Sequence, residues 1–258
     1  MPYTDKSIRN EQVIPTVESD LFVNHPDAQF AVGVLAVGDV VQPRLNREFV
    51  GYLRLRANVY ADQTRMIPRE HVRDDGTETD ENDRRSVHFG VVENLGSLQR
   101  VVGAMRLIVK SGENPEALPV EEFWPETFET SPAPMGSTEV SRYICRHEDR
   151  RVQRAMTWPL FSASLAVIFK EGLGPTYGVI EPITERDLRI RRVPMTRIAD
   201  PVFVPEYNYD NLAVLVDTPR LAAVVNQQQG ALLDVMEDDP YAITYSGSRV
   251  LADVEAAA

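Results

Sequence analysis

STEVSRYICR (residues 137–146) combines strand-forming residues with buried charge. Its β-branched and aromatic residues read as a strand, yet Glu139 and Arg142 interrupt it with charge. Three positions apart, they project from opposite faces of a regular strand. A β-bulge between them resets the alternation and lets both serve one site. The stretch therefore predicts a strand that is irregular near residues 140–144. Backbone N–H groups released by such a bulge can receive the oxygen of a thioester carbonyl as it becomes an oxyanion.

A second stranded charge lies in RVVGAMRLIV (100–109), an apolar strand that contains Arg106. An unpaired buried charge costs several kcal/mol, so this arginine needs a carboxylate. The candidates are Asp80 and Asp83 in ETDEND (78–83), or Glu139. SVHFGVVE (86–93) is another strand, and NLGS (94–97) joins it to the Arg106 strand as an antiparallel hairpin. Residues 73–85 are strongly charged and read as exposed loop.

Upstream, residues 45–60 read as a helix with Phe49, Tyr52, Leu53, Leu55 and Val59 on its apolar side. Pro68 limits how far it runs. Arg56 and Tyr60, four apart, are neighbours on one helix face. They either reach a small polar substrate together, or the arginine snorkels to solvent.

Downstream, residues 111–137 hold five prolines with Phe123 and Trp124, a long, locally packed connection. Residues 151–172 read as one helix, with Trp158, Phe161, Leu165, Ile168 and Phe169 inward, stopped by Gly172 and Gly174. TYGVIEPI (176–183) and NLAVLVD (211–217) read as strands, TERDLRIRRV (184–193) as a short amphipathic helix, and residues 221–236 as a last helix. The class is mixed α/β. The organisation expected is an N-terminal extension over 1–44 carrying one strand, a domain over 45–220, and a C-terminal helix and polar tail over 221–258.

Composition narrows the chemistry. A length of 258 residues supports one substantial core. One cysteine, Cys145, excludes a disulfide framework and reads as a buried, unreactive thiol rather than a nucleophile. Four scattered histidines show no metal-ligand spacing, so no metal is expected. The apolar runs are too short to span a bilayer, and a cytoplasmic protein is expected. A net charge of −12 argues against nucleic-acid binding. From Arg142 to Arg197, however, eleven basic residues stand against six acidic ones. This local surplus is either a solvated helix face or a surface for an anionic partner, such as a phosphopantetheine carrier protein or coenzyme A.

Four motifs in one order, RANVY (56–60), ETDEND (78–83), VVGAMRL (101–107) and EVSRY (139–143), resemble those of the acyl-homoserine-lactone synthases. That family is a branch of the GNAT N-acyltransferase superfamily. The resemblance implies a GNAT-like twisted, mixed, mostly antiparallel sheet flanked by helices, an α+β variant of the α/β class. It also implies transfer of a fatty acyl group from an acyl-carrier-protein or acyl-CoA thioester to the amine of S-adenosylmethionine. No permanently bound cofactor is implied; an acyl carrier protein is the implied partner.

Carried over residue by residue, Glu139 becomes the general base, and Asp80, Asp83, Arg106 and Arg142 the ionic network that fixes the cleft. Arg56, Tyr60, Met66 and Ser141 become substrate-binding residues. RHEDRRVQR (146–154) stands where GNAT enzymes carry a glycine-rich pyrophosphate loop. There Arg146, Arg150, Arg151 and Arg154 are expected to grip the donor phosphate at a helix N-terminus, which favours a carrier protein over free coenzyme A. Met66 stands where the family usually carries tryptophan, which leaves the amine open. The alternatives are an N-acyl amino acid synthase of the same fold and a catalytically idle domain that binds acyl ligands.

Overall fold

The apolar run at residue 30 already belongs to the sheet. In the computed structural model, which describes residues 30–41, 45–95 and 98–236, Phe30–Val37 (β1) pairs antiparallel along its length with Ser86–Leu95 (β3). The strand expected within residues 1–44 is therefore part of the sheet, which begins upstream of residue 45. Val40–Val41 (β2) turns back onto the end of β1. Asn46–Ala57 (α1) follows, and its apolar side packs Tyr52 and Leu53 against Leu35, Ala104 and Ile144 on one sheet face.

Leu98–Val109 (β4) completes the expected hairpin with β3, its turn at residues 96–97 lying outside the described residues. The two-residue alternation of β4 sends Met105 and Leu107 to one face, with Ala104 on the other. Pro119–Phe123 (α2) and Pro125–Phe128 (α3) organise the proline-rich connection. Leu118, Val120, Trp124 and Phe128 gather there with Ile108 and Ala213. Thr138–Cys145 (β5) carries the foreseen bulge: Ala104 faces Ile144 but Arg106 faces Ser141, so Arg142 and Tyr143 together oppose Met105.

The helix expected over 151–172 is broken. Arg150–Ala155 (α4) and Thr157–Lys170 (α5) meet at Met156. Pro159 has no N–H to donate back into the preceding turn. Gly172, at φ +60, ends α5, and Leu173 N–H reaches back to Ile168 O at 2.9 Å. Leu160 and Leu165 of α5 fill the core against Phe89, Val91, Met105 and Leu107.

Thr176–Ile180 (β6), Pro182–Ile190 (α6), Met195–Arg197 (β7), Val202–Val204 (β8), Tyr209–Val216 (β9) and Thr218–Met236 (α7) follow. The short β7 and β8 have no apolar alternation long enough to read from sequence. α7 begins three residues before the expected helix and sets Leu221 and Val225 into the core with α5. Residues 237–258 of the expected tail lie outside the described residues.

Strand order is β2-β1-β3-β4-β5-β6-β9-β7, with β8 beside β9. All pairings are antiparallel except β5–β6, which run parallel for only three residue pairs, Thr138–Val140 against Thr176–Gly178. Beyond Val140 the two strands part, and a wedge opens in the middle of the sheet.

Candidate active site

The segment 73–85, expected to be exposed loop, is exposed at residues 73–75, Glu81 and Arg84 but not throughout. Thr77, Glu78, Asp83 and Arg85 are buried. Asp80 caps a 3₁₀ turn over Glu81–Arg85, accepting from Asn82 N–H at 2.9 Å, while Asp83 accepts from Asp80 N–H at 2.9 Å. This reciprocal box is encoded locally, and it aims both aspartates at the sheet.

Three arginines meet them. Arg56 is fully buried and donates through Nη1 and Nη2 to the two oxygens of Asp83 at 2.7 and 3.2 Å, and through Nε to Glu78. Arg106 Nη1 donates to Asp80 and, at 2.7 Å, to Asp83, while Nη2 reaches Ser141 Oγ at 3.2 Å. Arg142 Nη2 bridges Glu78 Oε1 at 3.0 Å and Asp80 Oδ2 at 2.9 Å. Three cations and three carboxylates thus interlock with no net charge. Burial opposes ionisation of all three acids, but the arginines outweigh it: Asp83 is held far below the usual carboxylate range, Asp80 at about 2, and Glu78 is lowered too.

His88, opposite Arg106 on β3, lies under this network. Its ring faces Asp83 O at 3.2 Å and Tyr52 Oη at 3.1 Å. An uncharged ring meets both partners, Nε2–H donating to the carbonyl and Nδ1 accepting from the hydroxyl. Burial lowers its pKa to about 4.

The bulge sets the chemistry. Arg142 sits at φ +52, in the left-handed region that a non-glycine residue rarely occupies. That turn brings Arg142 onto the cleft beside Glu139 and Ser141, as the spacing in the sequence required. Its guanidinium lies 5.2 Å from the Tyr60 ring centroid and 6.0 Å from that of Tyr207. Tyr60 belongs to a π-helical turn, Asn58–Gln63, that widens the end of α1, and its hydroxyl donates to Tyr143 O at 3.1 Å.

Glu139 is 1 % exposed, and one carboxyl oxygen accepts from Val120 N–H at 2.8 Å. Burial raises its pKa to about 8, although the Val120 N–H and Arg106 pull the other way. A carboxyl so placed takes up and releases a proton near neutral pH. The cleft beyond it, about 360 Å³, follows the parting of β5 and β6. Glu139, Ser141, Arg142 and Tyr60 supply polar lining, Phe161, Leu165, Ile168, Leu188 and Val214 apolar lining, and Met66 is also part of its wall. Cys145 also lines it, but burial raises its thiol to about 11, so it stays protonated.

Four expectations change. Arg56 does not face the cleft, because two buried carboxylates hold it inside the network. Arg151 lines neither cavity and pairs with Asp149 at 2.8 Å. The N-terminus of α4 is not free for a phosphate, since the Asp149 side chain caps it. Arg146, Arg150 and Arg154 instead line a lateral groove with Arg186 and Arg191, which the sequence reading counted in the basic surplus but did not single out. Two residues of the site itself were also missed. Glu78 was hidden in a run of loop acids, and Tyr207 lies in the β8–β9 turn, where no spacing links it to the motifs.

No protein-family model matches the sequence, and no curated protein matches it either. Solved structures do match. The CoA-dependent acyl-homoserine lactone synthase BjaI, solved with SAM and isopentyl-CoA, superposes with a TM-score of 0.59 at 20% identity, covering 76% of this chain and 89% of its own. The acyl-homoserine lactone synthase LasI gives 0.54 at 15% identity, over 73% and 89%. FeeM, an N-acyl amino acid synthase from uncultured soil microbes, gives 0.50 at 16%, over 78% and 99%. By its structure, this chain has the fold of the acyl-homoserine lactone synthases.

Proposed function

We propose that the protein is an N-acyltransferase that moves a fatty acyl group from a pantetheine-borne thioester to the amine of S-adenosylmethionine, giving an acyl-homoserine lactone. The observation that carries this reading is Glu139, a buried carboxyl titrating near neutrality where a polar pocket meets an apolar cleft between two parting strands. The solved synthases of this fold, one holding SAM and an acyl-CoA, support it.

In this reading the acyl chain lies along Phe161, Leu165 and Ile168, and the thioester carbonyl rests at the bulge. Only a neutral amine attacks a thioester, so Glu139 takes the ammonium proton, through a water. The nitrogen adds to the carbonyl carbon, and the developing oxyanion is received by N–H groups of the bulged backbone. The C–S bond then breaks and the thiol leaves with a proton. Attack of the substrate's own carboxylate on its γ-carbon closes the lactone and expels methylthioadenosine. The ionic network makes no bond to substrate; it holds Arg142 and Ser141 in place. Arg146, Arg150 and Arg154, with Arg186 and Arg191, receive the phosphate of the donor, whether carrier protein or coenzyme A.

Met66 in the wall of the cleft, where the resemblance implies a tryptophan, favours a second reading, in which a free amino acid is the acceptor. Mass spectrometry of reactions containing acyl donor and S-adenosylmethionine separates the two. The first predicts acyl-homoserine lactone and methylthioadenosine in equal amounts. Acylated amino acid without methylthioadenosine overturns it in favour of the second.

A further inference from the structure

The proline-rich connection between β4 and β5 is held by a buried ion pair that does not line the cleft. Lys110, the first residue after β4, donates through Nζ to both oxygens of Glu121 on α2, at 2.7 and 2.8 Å. The two residues are 6% and 8% exposed. Glu121 also accepts from Leu118 N–H at 2.8 Å and from Ala133 N–H at 3.0 Å. One carboxylate therefore ties the start of the connection, the cap of α2 and the run back towards β5. The backbone closes the same loop: Lys110 N–H donates to Ser137 O at 2.9 Å, and Gly136 N–H to Lys110 O at 2.8 Å.

A buried ion pair is often no more stabilising than apolar residues of similar volume, so burial alone does not account for this one. Its neighbour does. Val120 shares the first turn of α2 with Glu121, is fully buried, and supplies the N–H that meets Glu139 at 2.8 Å. A hydrogen bond to a carboxylate favours its charged form, and the turn that Glu121 holds sets the direction of this one. Other elements also act on Glu139. Arg106 on β4 and Arg85 before β3 favour its charge, and Glu122 on α2 opposes it. Tyr177 faces it across β6, Tyr207 senses it from the β8–β9 turn, and Arg142 of its own strand lines the same cleft. We propose that Lys110 and Glu121 are positioning residues for Glu139, fixing the α2 turn so that Val120 N–H stays on its carboxyl. This rests on the reading of Glu139 as the base of acyl transfer.

The test is an infrared titration of the Glu139 carboxyl in the full chain without substrate, its band assigned by difference from Glu139→Gln. Lys110→Met/Glu121→Gln removes both charges together, so net charge is unchanged and no unpaired ion is buried. The wild-type midpoint of about 8 should rise in the double variant by about one unit or more, as for the loss of an N–H bond to a carboxylate. The rising limb of kcat with pH should move by the same amount. Lys110→Arg keeps a cation on both Glu121 oxygens and should hold the wild-type midpoint. Circular dichroism checks folding; should the double variant not fold, Glu121→Gln alone is titrated, with an upward shift again expected. An unmoved midpoint in a folded variant overturns the proposal even where kcat falls, because a merely structural pair lowers activity without moving the titration. Failure of the acyl-transfer reading appears separately, as the expected shift in a protein that makes no acylated product.

Discussion

Arg56 and Asp83 are 27 positions apart in the chain and meet inside it as a two-pronged ion pair, at 2.7 and 3.2 Å. The pair joins the helix under the sheet to the turn that feeds the β3–β4 hairpin. Removing the arginine leaves the buried network one cation short, with Glu78 held by Arg142 alone and Asp83 by Arg106 alone among its arginines. Arg56→Ala should therefore cost about 3–5 kcal/mol, measured as a lowered urea midpoint. Arg56→Lys should recover only a part, because an ammonium cannot serve both Asp83 oxygens and Glu78 with a fixed fork.

Acid should weaken the protein in two stages. His88 binds a proton near 6.5 when unfolded but only near 4 when folded. Between those values the unfolded state takes up a proton that the folded state refuses, so stability falls as pH drops from 6.5 to 4. Asp80 and Asp83, lowered in the fold, add a second loss as pH falls below their ordinary value of 3.8. Urea unfolding across this range checks both stages. His88→Gln should flatten the first and leave the second.

Glu139 carries the opposite sign. Its pKa is raised in the fold, so its neutral form is favoured, and the advantage is lost as pH rises from 4.5 through about 8. Glu139→Gln cannot ionise and should be more stable than wild type above that range. It should also lower kcat by about 10²–10⁴-fold if Glu139 is the base. The wild-type rate should climb with pH towards a plateau above about 8, and the variant's rate should lose that limb. A wild-type rate that is flat from pH 6 to 9 would sink the assignment.

Tyr207 offers a finer test of the polar end of the cleft. Its ring lies 6.0 Å from the Arg142 guanidinium and edge-on to Phe123 at 5.4 Å. Tyr207→Phe keeps both ring contacts and removes only the hydroxyl, so its acceptor KM should stay within about twofold of wild type if the ring is what matters. Tyr207→Ala should raise that KM about fivefold, in line with about 1 kcal/mol for the lost cation–π contact. Equal effects of the two substitutions would assign the role to the hydroxyl.

The local signals in this chain were legible because they are periodic or covalently close. The β-branched runs SVHFGVVE and RVVGAMRLIV, joined by NLGS, marked a hairpin, and the three-residue step from Glu139 to Arg142 called for a bulge if both were to serve one site. A burial argument at Arg106 alone called for carboxylates, and Asp80 and Asp83 are the ones it meets. Other features depend on which distant surfaces close on one another. Glu78 looks like any loop acid until Arg56 and Arg142, 22 residues before it and 64 after it, converge on it. Arg56 looked like a substrate ligand on a helix face until that face was buried. Tyr207 enters through a turn that leaves no spacing signature, and the α6 arginines, counted in the basic surplus, are gathered into a groove only by helix packing. The longer strands, the bulge and the need for paired charge were thus legible along the chain, since each follows from β-branched runs, side-chain alternation or the cost of burying an ion. Only the tertiary structure decided which charges pair with one another and which face the cleft, because Coulomb partners are chosen by distance in space.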